Sequence, residues 1–169
     1  GTAPVPPGRF ELIRRGQDFT VVVDYAHTPD ALERALDAAR AVATGRVHVV
    51  FGCGGDQDPS KRAHMGAVAD ELADMATVTS DNPRSEDPST IMAAVRSGFE
   101  RLDPRLEPDR AAAIADAVRY AATGDVVLIA GKGHETTQVF PDREVHFDDR
   151  EVATAAIDAR LDPDGGGPT

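Results

Sequence analysis

The chain has no tryptophan, a single cysteine and few aromatic residues, 5% in all. So few rings offer no stacking platform for a run of bases. Cys53 alone cannot close an internal disulfide, the usage expected of a reducing, cytoplasmic compartment. No apolar run approaches the roughly 20 residues that cross a bilayer, and Gly1–Gly8 does not have the pattern of a signal peptide. Positive charge is also short. Lys and Arg number 18 against 29 Asp and Glu, a net charge of −11, which argues against a general nucleic-acid binder. A few local Arg, Lys and N–H groups can still hold an anion at close range. The sequence opens without a methionine, as a piece of a longer chain would.

What is present is an ordinary soluble composition, 41% hydrophobic and 28% charged over 169 residues, enough for one domain with a real core. Residues 1–8 are Pro- and Gly-rich and predict a linker; residues 9–161 predict the domain; Asp162–Thr169 predicts a disordered tail. Within the domain, apolar runs of strand length alternate with helical spacings. Strands are expected at Arg9–Ile13, Phe19–Val23, Val47–Phe51, Thr77–Thr79 and Val126–Ala130, and a weaker one at Leu106–Pro108. Helices are expected after Thr28-Pro29, after Ser60 as a cap with Met65, Val68, Ala69, Leu72 and Met75 on one face, after Asp87-Pro88, after Asp109 and after Asp148-Asp149. Thr137–Phe140 and Glu144–Phe147 bracket Pro141-Asp142-Arg143 and predict a hairpin. This alternation predicts an α/β, Rossmann-like, mostly parallel sheet with helices on both faces and an antiparallel edge hairpin.

Four polar loops follow four of these strands and should gather on one edge, where open α/β sheets bind ligands. Asp81-Asn82-Pro83-Arg84 is the most distinctive. Pro83 stiffens it, and charges of both signs suit a zwitterion, with Arg84 able to grip a carboxylate in two parallel hydrogen bonds. Asp24-Tyr25-Ala26-His27 sets an acid, a phenol and an imidazole within four residues, suited to ribose, base or phosphate. Gly52-Cys53-Gly54-Gly55-Asp56 allows close backbone approach, and Lys61 and Arg62 at the following helix start suggest a nearby anion. The plainer readings stay open: a polar turn, a helix cap with a surface histidine, and surface salt bridges. Gly131-Lys132-Gly133-His134-Glu135 is no P-loop, since Val126 stands where its first glycine is needed and Gly133 where Ser or Thr is needed. The glycine loop is no dinucleotide fingerprint either, because Gln57 occupies its third glycine position. His27, His48, His64, His134 and His146 have no metal-ligand spacing, and Cys53 is expected to be a small buried thiol.

Five segments in order, Pro7-Gly8-Arg9-Phe10-Glu11, Asp24 to Asp30, Phe51 to Asp56, Asp81 to Arg84 and Gly131 to Glu135, resemble the C-terminal domain of the Mur ligases. The match is closest to the MurE type, which adds 2,6-diaminopimelate to UDP-N-acetylmuramoyl-L-alanyl-D-glutamate. It covers roughly Pro7 to Ile157. The resemblance implies a three-domain, cytoplasmic enzyme of peptidoglycan synthesis, using ATP and Mg2+ to form an acyl phosphate that the incoming amine attacks. It puts the P-loop and the Mg2+ ligands in a central domain, and no catalytic or metal residue here. It implies nucleotide contacts at Arg9, Asp24, Tyr25 and His27, and contacts to meso-diaminopimelate at Gln57, Asp81, Asn82, Arg84, Gly131 and Glu135. Its implied partners are meso-diaminopimelate, ATP or ADP, and the UDP-MurNAc-dipeptide, with no nucleic acid and no membrane. The family usually carries a second carboxylate-binding arginine where this chain has Gln57. A stand-alone binding module of the same fold, or a paralogous ligase adding another amino acid, are the alternatives.

Overall fold

The computed structural model describes residues 8–164; the expected linker at 1–7 and the last residues of the expected tail, 165–169, lie outside them. Thirteen elements follow in order: β1 (Glu11–Leu12), β2 (Thr20–Asp24), α1 (Pro29–Val42), β3 (Val47–Phe51), α2 (Ser60–Leu72), β4 (Met75–Thr79), α3 (Pro88–Arg96), β5 (Arg105–Glu107), α4 (Arg110–Tyr120), β6 (Val126–Ala130), β7 (Thr137–Val139), β8 (Glu144–His146) and α5 (Asp149–Leu161). Six strands form one sheet in the order β1-β2-β6-β3-β4-β5, parallel throughout except at β1, which runs antiparallel to β2. The hairpin forms as its own two-stranded sheet, β7 with β8, separate from the larger one.

The sheet is apolar on both faces because its central strands are largely apolar and rich in β-branched residues, as in Val21-Val22-Val23 and Val126 to Ile129. Alternation then divides the core. Val22, Val49, Phe51, Val78 and Leu128 pack against α1, α2 and α3 through Leu32, Leu36, Met65, Ile91 and Val95. Val21, Val23, Val50, Val127 and Ile129 pack against α4 and α5 through Ile114, Val118, Ala153 and Ile157. Burying each such side chain contributes about 1.5–3 kcal/mol.

Helix starts follow the expected chemistry at Thr28, Asp87, Asp109 and Asp148, whose side chains accept from Ala31, Ser89, Ala112 and Arg150 backbone N–H groups. Three expectations need correction. Ser60 is the first helical residue and not the cap; Asp58 accepts from both its N–H and its hydroxyl. Met75 opens β4, because α2 stops at Leu72 and the Asp74 carboxylate accepts from the Val47 N–H, turning the chain into the sheet. The first strand shortens to Glu11–Leu12, since Phe10 takes a left-handed φ of 42°. Gly8, the last residue of the expected linker, is buried beside Gly133 and His134.

Candidate functional site

The loops after β2, β3, β4 and β6 all leave the carboxyl edge of the sheet, and they enclose one cleft of about 110 Å³. All six residues expected to hold the amino acid line it: Gln57, Asp81, Asn82, Arg84, Gly131 and Glu135. Two of the four expected for the nucleotide, Tyr25 and His27, line the same cleft.

The Asp81–Arg84 loop is held from three sides. The Asn82 side-chain carbonyl accepts from the Val139 N–H at 3.0 Å and from Lys132 Nζ at 3.2 Å, which turns its amide nitrogen to Glu135, 3.3 Å away. Gln138 donates to the Asp81 carbonyl at 2.9 Å, and the Arg84 N–H donates to the Val139 carbonyl at 2.9 Å. The Gly55 N–H donates to the Asn82 carbonyl at 2.8 Å, and Arg84 Nη1 returns a bond of 2.7 Å to the Gly55 carbonyl. Arg84 sits at φ 53°, a region that costs a non-glycine residue energy, so these bonds aim its guanidinium into the cleft. Gly131 has φ 118°, and a Cβ there would come within 2.7 Å of the Asp81 carboxylate. Only glycine gives that acid room.

Sequence reading alone missed the buried polar groups beneath the cleft. Lys132 is fully buried, and burial lowers its pKa while Asp81 and Glu135 oppose the shift. Arg110 and Asp149 form a wholly buried, two-bonded pair at 2.7 and 2.8 Å. Arg110 also donates to the carbonyls of Ser80 and Ala130, the residues just before the two loops that face each other across the cleft. The signal available in sequence was only the position of Asp149 in a helix start.

Among the residues expected to meet the nucleotide, the Arg9 guanidinium lies 4.8 Å from the Tyr25 ring centre. Tyr25 packs edge-on against His27 at 4.5 Å and tilts toward His134 at 6.2 Å. A cation and three rings, partly open to solvent, fit a base or a phosphate. Asp24 is differently engaged. Its carboxylate accepts from the Phe10 N–H at 2.7 Å and the Ala26 N–H at 2.8 Å. It thereby secures the segment that carries Arg9, with lone pairs to spare.

The expected anion at the start of α2 resolves differently for its two cations. Arg62 is buried on Glu86, which also accepts from the Asp56 N–H. Lys61 instead lines the cleft. Cys53 is buried, its thiol pushed up to about 11 by desolvation, and rests 3.7 Å from the Met65 sulfur. No group of three or more His, Cys, Asp or Glu among the described residues is arranged to hold a metal ion.

Residues 8–133 match the family described as "Mur ligase, glutamate ligase domain". The chain belongs to the Mur ligase family. This Mur ligase domain is 55% identical over 157 residues to the UDP-N-acetylmuramoyl-L-alanyl-D-glutamate–2,6-diaminopimelate ligase of Synechocystis sp., covering 91% of the chain and 31% of that protein. It is 54% identical to the ligase of the same name from Geobacillus kaustophilus, over 91% of the chain and 32% of the relative. The solved structure of a UDP-N-acetylmuramoyl-L-alanyl-D-glutamate–2,6-diaminopimelate ligase superposes with a TM-score of 0.86 at 40% identity, covering 94% of the chain and 33% of the other. A bifunctional folylpolyglutamate synthase/dihydrofolate synthase from Yersinia pestis, complexed with AMPPNP and Mn, superposes at 0.60 with 25% identity, over 75% of the chain and 28% of the other. The Mur ligase domain thus spans about a third of the length of the relatives it matches.

Proposed function

We propose that this Mur ligase domain is the amino-acid-binding part of a longer cytoplasmic, ATP-dependent ligase that joins meso-diaminopimelate to UDP-MurNAc-L-Ala-D-Glu in peptidoglycan precursor synthesis. The observation that carries the reading is the joint lining of one cleft by Gln57, Asp81, Asn82, Arg84, Gly131 and Glu135. Meso-diaminopimelate has a zwitterion at each end. Arg84 supplies the cation for a carboxylate, and Asp81 and Glu135 supply the acids for an ammonium. The domain delivers the amine and contributes Arg9, Tyr25, His27 and, through its hold on Phe10, Asp24 to the nucleotide side. ATP supplies the phosphate that activates the acceptor carboxyl, and Mg2+ is assigned to the part of the enzyme outside this chain.

Titrating the chain with meso-diaminopimelate and with L-lysine, followed by amide chemical shifts, tests the assignment. Meso-diaminopimelate should move the Asp81–Arg84 and Gly131–Glu135 amides. L-lysine lacks one carboxylate and should bind more weakly, because Arg84 is left without its anion. Arg84→Ala should weaken meso-diaminopimelate by about tenfold or more and leave L-lysine nearly unchanged. Unaltered meso-diaminopimelate binding in that variant would sink the reading.

A further inference from the structure

The run Gly131-Lys132-Gly133 buries its lysine. Both glycines take left-handed φ values, 118° and 57°. A Cβ on either would meet a neighbour: the Asp81 carboxylate at 2.7 Å for Gly131, the Gly8 carbonyl and the Tyr25 Cβ at 2.9 Å for Gly133. Between these two bends Lys132 is fully buried, beneath the residues that line the cleft and not among them. A buried amine is costly unless it is bonded. Nζ has two acceptors, the Thr137 carbonyl at 2.6 Å and Asn82 Oδ1 at 3.2 Å. The same Oδ1 accepts from the Val139 N–H at 3.0 Å, so both of its lone pairs are taken. The other end of the amide keeps two N–H groups. One faces Glu135 at 3.3 Å, which leaves the second for the cleft that Asn82 lines. A reversed amide would set N–H against N–H at both Lys132 and Val139, so the orientation is fixed. Thr137 also begins β7, whose next two residues hold the Asp81 carbonyl and the Arg84 N–H.

We propose that Lys132 is a positioning residue that sets the amino-acid preference of the cleft, by locking Asn82 as an N–H donor. The role rests on the reading of the cleft as an amino-acid site. Lys132 itself touches no ligand. With Oδ1 occupied, Asn82 offers the cleft a donor alone, alongside the Arg84 guanidinium, and the two together suit a carboxylate. Turned round, Asn82 would add a third acceptor to Asp81 and Glu135, and the cleft would favour an amine with no carboxylate beside it. The lysine therefore acts on selection more than on affinity in general. It raises the preference for meso-diaminopimelate over L-lysine, which lacks the carboxylate that meets Arg84.

Lys132→Met keeps the length of the side chain and removes its donors. By calorimetric titration, the ratio of the L-lysine to the meso-diaminopimelate dissociation constant should fall by about tenfold in the variant. A lysine that only held the fold together would, when replaced, weaken both ligands alike and leave the ratio where it was; that result overturns the proposal. Asn82 is the only asparagine in the chain, so 15N labelling of asparagine gives a single side-chain NH2 pair. The pair should shift saturably with meso-diaminopimelate in the parent chain, far less with L-lysine, and should lose its meso-diaminopimelate shift in Lys132→Met. Should Lys132→Met not fold, the parent chain decides. It has only two lysines, and 13C labelling gives one ε-methylene signal for each, told apart in Lys61→Arg. The Lys132 signal should move with the Asn82 pair as meso-diaminopimelate is added. If the Asp81–Arg84 backbone amides shift while the Asn82 pair and Lys132 stay still, the positioning role is wrong and the amino-acid site stands. If neither amino acid moves any of these signals, the cleft is misassigned and the role falls with it.

Discussion

At the scale of single residues, the cleft holds two cations, Arg84 and Lys61, that form no ion pair among the described residues. Arg84 and Lys61 donate to neutral oxygens, so each retains its full attraction for an incoming anion. Gln57→Arg tests how far the neutral amide limits affinity. A guanidinium in its place should tighten meso-diaminopimelate severalfold, about 1 kcal/mol, measured by calorimetric titration. Away from the cleft, His48 is half-buried near the start of β3, bonded through Nε2 to the Thr77 hydroxyl at 2.8 Å. Burial pushes its pKa down to about 4, a drop that Asp125 opposes and Arg105 reinforces. The unfolded chain protonates this histidine near its ordinary 6.5. Stability that is complete above that value is therefore lost progressively as the pH falls toward about 4. The full effect is about 3 kcal/mol at 1.36 kcal/mol per pKa unit. His48→Gln should flatten this dependence. Urea midpoints at about pH 7.5 and about pH 4.5 should fall further apart in the parent chain than in the variant.

At the scale of elements, the buried Arg110–Asp149 pair ties the first turns of α4 and α5 to the ends of β4 and β6. Removing one partner leaves the other charge buried and unanswered, at a cost of about 3–5 kcal/mol. Arg110→Met should show that loss in urea denaturation. The double variant Arg110→Met with Asp149→Leu should recover part of it, since neither charge then remains. Helix α2 meets α3 just as closely: a Cβ on Gly66 would lie 2.1 Å from the Val95 carbonyl, so Gly66→Ala would push the two helices apart. What could be read from sequence follows the range of each interaction. Thr28, Asp87 and Asp109 declare their helices because a cap acts within three residues. The strands from Phe19 and Val126 declare themselves by short runs rich in β-branched residues. Lys132, 50 residues from Asn82, and Arg110, 39 from Asp149, gave no such sign, because nothing local distinguishes a buried cation from a surface one. Met75 misled for the opposite reason: it keeps α2's spacing after the helix has ended. The site loops were legible as motifs, while the sharing of one cleft by Tyr25, His27 and the residues expected to hold the amino acid came only from their packing.

At the scale of the whole molecule, the proposed function gives the domain one side of a nucleotide site. Arg9, Tyr25 and His27 cluster together, and the sequence holds no P-loop. ATP should therefore bind the chain with a dissociation constant of roughly millimolar order, about −4 kcal/mol, and should not be turned over. Calorimetric titration and a phosphate-release assay on repurified chain measure both; micromolar affinity or stoichiometric hydrolysis would contradict the domain's assigned part in the ligase.

The strand order carries a further consequence for how the chain is made. Strand β6 lies between β2 and β3, although Val126 follows its partners Thr20 and Val47 by 106 and 79 residues in sequence. As the polypeptide leaves the ribosome, β2 and β3 emerge with an empty lane between them, and neither can pair across it until Val126–Ala130 arrives. The middle of the sheet is thus completed late, its apolar edges waiting exposed through most of synthesis. Delays or truncations before residue 126 should yield aggregation-prone chains, however well their individual helices form.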